Sequence, residues 1–100
     1  MTELDKLHDL LDQANIEHVV ITDSNGFYER HMIKMYEVQN DAKTEILSAI
    51  CHYGSYGFEQ GKIEIMGLLT KSELKHDSVV GHLTARNVFK RIKKHMEETL

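Results

Sequence analysis

Residues 50–69, ICHYGSYGFEQGKIEIMGLL, place the tightest limit on the fold, because a strand-like apolar run breaks there into a glycine-aromatic loop and re-emerges with helical spacing. Four of the six glycines fall in this stretch, together with the single cysteine. Gly54 and Gly57 admit positive φ or close backbone approach, while Tyr53, Tyr56 and Phe58 supply large surfaces to bury. The segment reads as the end of a strand, a loop of one shape, and a helix over 58–69 with Phe58, Ile65, Met66 and Leu69 on one face. Gly61 and Gly67 weaken that helix.

The flanking sequence supplies the other elements. Thr2 and Asp5 have capping-box spacing ahead of Leu4, Leu7, Leu11 and Ala14, which predicts a helix over about 3–14 with Asn15 as its stop. The β-branched run IEHVVIT at 16–22 predicts a strand. Asp23-Ser24-Asn25-Gly26 is a strong turn signal, so a hairpin to RHMIKMYEV at 30–38 is expected. A third strand is expected at 45–51, EILSAIC. Residues 70–82 read as irregular, with a turn of helix at 72–74. Thr84 can cap a last helix whose Val88, Phe89, Ile92, His95 and Met96 share a face. The chain has no proline, repeat or linker-like stretch, so 1–100 reads as one domain. The expected class is α+β, a three-stranded antiparallel sheet packed against three helices in the order αβββαα. The expected core is Leu7, Leu11, Val20, Ile33, Ile50, Phe58, Met66, Phe89 and Ile92. Strand two is ambiguous, since either Ile33 and Met35 or Met32 and Tyr36 could face inward.

Charge narrows the function classes. The net charge of −4 is unevenly spread: residues 1–29 carry seven acids and one base, and residues 84–100 two acids and five bases. An acidic surface repels free nucleic acid and steers toward a basic protein. A single cysteine suits a reducing compartment, with the cytoplasm as the expected location. The N-terminus is acidic and amphipathic, unlike a secretory signal, and no apolar run approaches the length of a membrane span.

Four constellations could carry chemistry. Cys51 and His52 with His76 and His82 offer the sulfur and imidazole ligands that zinc prefers, with Asp77 or His31 as substitutes. Adjacent strand side chains diverge, so Cys51 and His52 can share an ion only if the strand has ended. Gly54-Ser55-Tyr56-Gly57 ahead of a helix could cradle phosphate, although it lacks a nucleotide-loop pattern. No residues form a catalytic triad, and a non-enzyme is expected. Arg86, Lys90 and Lys94 line one side of the last helix, the ordinary pattern of a solvated face. Asp5, Asp9 and Asp12 form an acidic stripe on the first helix, a candidate partner-binding surface.

HYGSYGFEQGKIEIMGLL, followed by LTARNVFKRIKKH, resembles a pattern in small cytosolic proteins of phages and prophages of Gram-positive bacteria. The resemblance covers about half the chain. Among such proteins are anti-CRISPR inhibitors, at least one of them zinc-containing, which bind CRISPR-associated nucleases and block guide or target loading. The resemblance implies a phage-encoded binding protein that inhibits a host defence nuclease in the host cytoplasm. The alternative it leaves is a small zinc-binding accessory protein, or a ligand-binding module with its chemistry in loop 51–57.

Overall fold

The computed structural model describes residues 2–24, 29–51 and 55–98, with the backbone alone at 22–24, 29–31 and 39. The elements are α1 (Glu3–Gln13), β1 (Val19–Ser24), β2 (Glu29–Gln39), β3 (Ala42–Cys51), a 3-10 turn (Phe58–Gln60), β4 (Ile63–Met66), α2 (Lys71–Leu74), β5 (Val79–Leu83) and α3 (Ala85–Glu98). The strands form one antiparallel sheet in the order β1-β2-β3-β4-β5. The class is α+β with three helices. The expected three-stranded sheet and αβββαα order are corrected: the sheet has five strands.

Both extra strands come from the second half of the chain. The helix expected over 58–69 shrinks to the 3-10 turn and β4, in which Ile63 and Ile65 are fully buried and Met66 is exposed. That alternation is the period of a strand. Gly61 and Gly67 bracket the segment with positive φ, which ends the turn and releases β4. At Gly67 the requirement is absolute, since a Cβ would stand 2.2 Å from the carbonyl oxygen of Ile46. The supposedly irregular 70–82 segment holds α2, capped by a Thr70–Glu73 box, and β5.

The N-terminal half follows local signals. Thr2 Oγ1 accepts the Asp5 N–H at 3.3 Å, and Asp5 Oδ2 accepts the Thr2 N–H at 3.0 Å, closing the expected capping box. Asn15 at φ 55 then ends α1 in a Schellman turn, with the Ile16 N–H on the Leu11 carbonyl at 2.9 Å and the Asn15 N–H on Asp12 at 3.1 Å. Leu11 and Ile16 meet in the core, the apolar contact that accompanies this motif.

The core lies between one face of the sheet and the pair α1 and α3. Leu4, Leu7 and Leu11 from α1 and Ala85, Val88 and Ile92 from α3 meet Ile33, Met35, Leu47, Ala49, Ile63 and Ile65. Each large side chain so buried contributes about 1.5–3 kcal/mol. Ile33 and Met35 are the inward pair of β2. Val20 and Met66, expected in the core, are 44% and 53% exposed. Ile50, Phe58 and Phe89 are half-buried. Glu3 joins the two helices: its carboxylate accepts the Ala85 N–H at 2.9 Å at the start of α3. The Lys6 ammonium and that N–H hold the Glu3 carboxyl below its usual range. No helix among the described residues is long and apolar enough to cross a membrane.

Candidate functional site

The two long helices cover one face of the sheet, and the register sets what the other face presents. Val19 stands opposite Lys34 and Ile21 opposite Met32, while Ile50 pairs with both Met32 and Glu64. These residues alternate with the inward Ile33 and Ala49, so Val19, Ile21, Met32, Tyr36, Ile50 and Met66 lie on the uncovered face. Among the described residues an ion pair crosses it, Lys34 Nζ to Glu45 at 2.8 Å, and the Glu45 carboxylate raises the Lys34 ammonium above its ordinary value.

At the β1 edge the side chains of both faces are open. Val19, Val20 and Ile21 are each at least 40% exposed. β1 pairs with β2 alone, so its outward N–H and C=O groups meet no other strand among the described residues. Edge strands are usually blunted by charge, proline or bulges. Residues 19–21 have none of these. A recess of about 90 Å³ opens at the start of the strand, lined by Glu17, His18, Val19, Lys34, Tyr36 and Lys43 among others.

The residues expected to hold zinc are placed far less openly, or apart. Cys51 is buried in β3 at 2% exposure. Burial first, and the Asp5 charge second, push its thiol up, which disfavours the thiolate that a metal or an electrophile needs. His76 follows α2 and is exposed with Asp77, and His82 is exposed in β5 at φ 57. Among the described residues, Cys51, His76 and His82 do not form a group with converging ligand atoms. His52 and Gly54 lie outside the described residues, as does the Asn25-Gly26 turn; for His31 the backbone alone is described, in β2. The phosphate cradle lacks its helix, because only the three-residue 3-10 turn follows Gly57.

The acidic stripe divides into three different situations. Asp5 closes the capping box and is partly buried. Asp9 is exposed beside α3, in a cleft shared with Glu3, Lys6 and Arg86. Asp12 belongs to a cluster that the sequence reading missed, made with His8 and His18. The four-residue step from His8 to Asp12 on a helix was a legible signal; the convergence of His18 depends on the Schellman turn. His18 Nδ1–H donates to the Ile16 carbonyl at 2.7 Å, His18 Nε2 lies 2.8 Å from His8 Nδ1, and Asp12 reaches the two rings at 3.3 and 3.6 Å.

No family model, curated protein or solved structure matches this chain.

Proposed function

We propose that this chain is a non-enzymatic binding protein that captures a basic protein partner by accepting one of its strands at the β1 edge. The observation that carries this reading is the exposed, uncharged run Val19–Val20–Ile21 on an edge that no further strand pairs among the described residues, beside the sheet face away from the helices. Strand addition draws affinity from main-chain hydrogen bonds and selectivity from alternate side chains. Here Val19 and Ile21 would meet the partner on the open face.

Charge selects among occupants. Residues 1–29 supply α1 and β1 and carry seven acids against one base. A second copy would bring that excess against itself, whereas a basic partner is attracted and steered. The phage-protein resemblance makes a host CRISPR-associated nuclease the partner to try first, with the host cytoplasm as the setting. Such an enzyme holds nucleic acid in a basic channel, and an acidic domain docked there would block loading without any chemistry of its own.

The test uses purified CRISPR-associated nucleases with their guides. Preincubation with the protein lowers target cleavage, the effect weakens as salt is raised, and joint reversal of Asp9 and Glu17 to Lys slows association. Unchanged cleavage across the panel, with no complex by light scattering, would overturn the nuclease reading. Inhibition that survives Ile21→Lys intact would move the interface away from β1.

A further inference from the structure

We infer that His8, Asp12 and His18 form a divalent-metal site, with zinc as the ion the donor set fits, fastening the end of α1 to the entry of β1. The motivating fact is a convergence of donors. One ligand atom from each residue lies within 4.8 Å of the others. Among the described residues, no Lys or Arg pairs with Asp12; its partners are the two imidazoles.

Hydrogen bonding fixes the tautomer that coordination requires. A carbonyl can only accept, so the 2.7 Å contact to Ile16 places a proton on His18 Nδ1. The lone pair of neutral His18 is then on Nε2, facing His8 and Asp12. A backbone carbonyl orienting a ligand histidine in this way is the usual outer support of a metal site. The His18 side chain is 6% exposed, whereas Asp12 at 60% leaves a side open to water.

Proton counting shows what the cluster lacks. If neutral His8 donates Nδ1–H to His18, its Nε2 lone pair faces the Asp12 carboxylate 3.3 Å away. If it carries its proton on Nε2, two ring lone pairs oppose each other at 2.8 Å. Each neutral arrangement sets lone pair against lone pair, and a cation resolves both. Tetrahedral zinc with bonds of about 2.0–2.1 Å separates its ligand atoms by roughly 3.3 Å. His8 Nε2 to Asp12 Oδ2 at 3.3 Å and His18 Nε2 to Asp12 Oδ1 at 3.6 Å are near that spacing. His8 meets His18 through Nδ1 and Asp12 through Nε2, so binding requires the half-exposed His8 ring to turn until one nitrogen faces both partners. Two imidazoles and one carboxylate complete three positions and leave the fourth for water.

The test is titration of zinc chloride into untagged, chelator-treated full-length protein, followed by calorimetry and thermal melting. One zinc binds per chain and raises the melting temperature. His8→Gln and Asp12→Asn, both on the exposed side of the cluster, weaken binding by about tenfold or more. His76→Gln and His82→Gln leave it unchanged. Cobalt in place of zinc gives the visible absorption of a tetrahedral site, lost in His8→Gln. Absence of stoichiometric zinc binding, or wild-type affinity in both His8→Gln and Asp12→Asn, refutes the site. Melting that responds to pH but not to zinc does so as well, and identifies the cation as a proton shared between the rings. Neither result bears on the β1 edge, which Ile21→Lys probes separately.

Discussion

The two edges of the sheet are built in opposite ways. β5 is five residues long, bulges so that Ile63 and Ile65 of β4 meet Leu83 and Val80, and turns left-handed at His82. The His82 N–H is taken by the Tyr56 carbonyl at 3.2 Å, and Val79, Val80 and Leu83 are half-buried. β1 has no bulge, its register with β2 runs unbroken from Val19 to Ser24, and its described side chains stand exposed. Bulges, kinks and covering loops are the means by which sheets avoid unwanted pairing. A molecule that applies them at one edge and omits them at the other has an edge suited to a partner.

Gly57 should show the largest effect, because it underlies the covered edge. It has φ +93, and a Cβ would stand 2.9 Å from the His82 Cα. Gly57→Ala therefore combines left-handed strain with a backbone clash, and denaturant unfolding should show a loss of about 2–4 kcal/mol. Rising aggregation at high protein concentration would indicate that β5 had become a second open edge. Stability within experimental error of wild type would show that loop 55–57 moves freely and protects nothing.

Glu73 comes next, since it ties the segment before β5 to α3. Its carboxylate accepts from Arg91 at 2.7 and 2.8 Å and from the Thr70 N–H at 2.8 Å. The Arg91 guanidinium first, then that N–H, lower its pKa to about 2 from the usual 4.5. A depressed carboxyl stabilises the fold above its unfolded value, and the contribution is lost as pH falls through the folded one. Wild-type melting should therefore drop between pH 4.5 and about 2. Glu73→Gln keeps an acceptor for Thr70 but not the charge, so it should cost about 1 kcal/mol at neutral pH. The gap to wild type should close near the acid end. A constant gap across that range would assign the effect to packing.

How far the chain could be read from its residues follows the same division between edges. Thr2, Asp5 and Asn15 act on groups within four or five positions, and the helix they start and stop lies where its pattern places it. β4 and β5 do not announce themselves in this way. IEIM has four residues, and its Ile65 and Met66 also fit helical spacing with Phe58 and Leu69. VVGHL is interrupted by glycine. Such segments become strands because β3 and each other supply the ladder, and that information lies outside any local window. The cluster on α1 divides likewise: His8 and Asp12 are one helical turn apart in sequence, but His18 joins them because a left-handed Asn15 reverses the chain. For Cys51, the apolar strand that surrounds it was the decisive neighbour, and it makes the thiol part of the core.

The smallest effect on stability is expected where the proposed function needs the most change. Lysine placed on an edge strand blocks pairing, because strand addition would strip water from its ammonium. Ile21 is 40% exposed on the face away from the helices, and the aliphatic stem of a lysine can lie where its side chain lay, so Ile21→Lys should alter unfolding free energy by no more than about 0.5 kcal/mol. Val80 is the matched control at the other edge. It pairs with Ile65 and packs against the core, so Val80→Lys should cost about 1–3 kcal/mol while leaving β1 untouched. Equal costs at the two positions would erase the contrast between the edges. If Ile21→Lys keeps wild-type stability yet no longer binds a nuclease that wild type inhibits, while Val80→Lys still binds below its melting point, the open edge at β1 is where the partner docks.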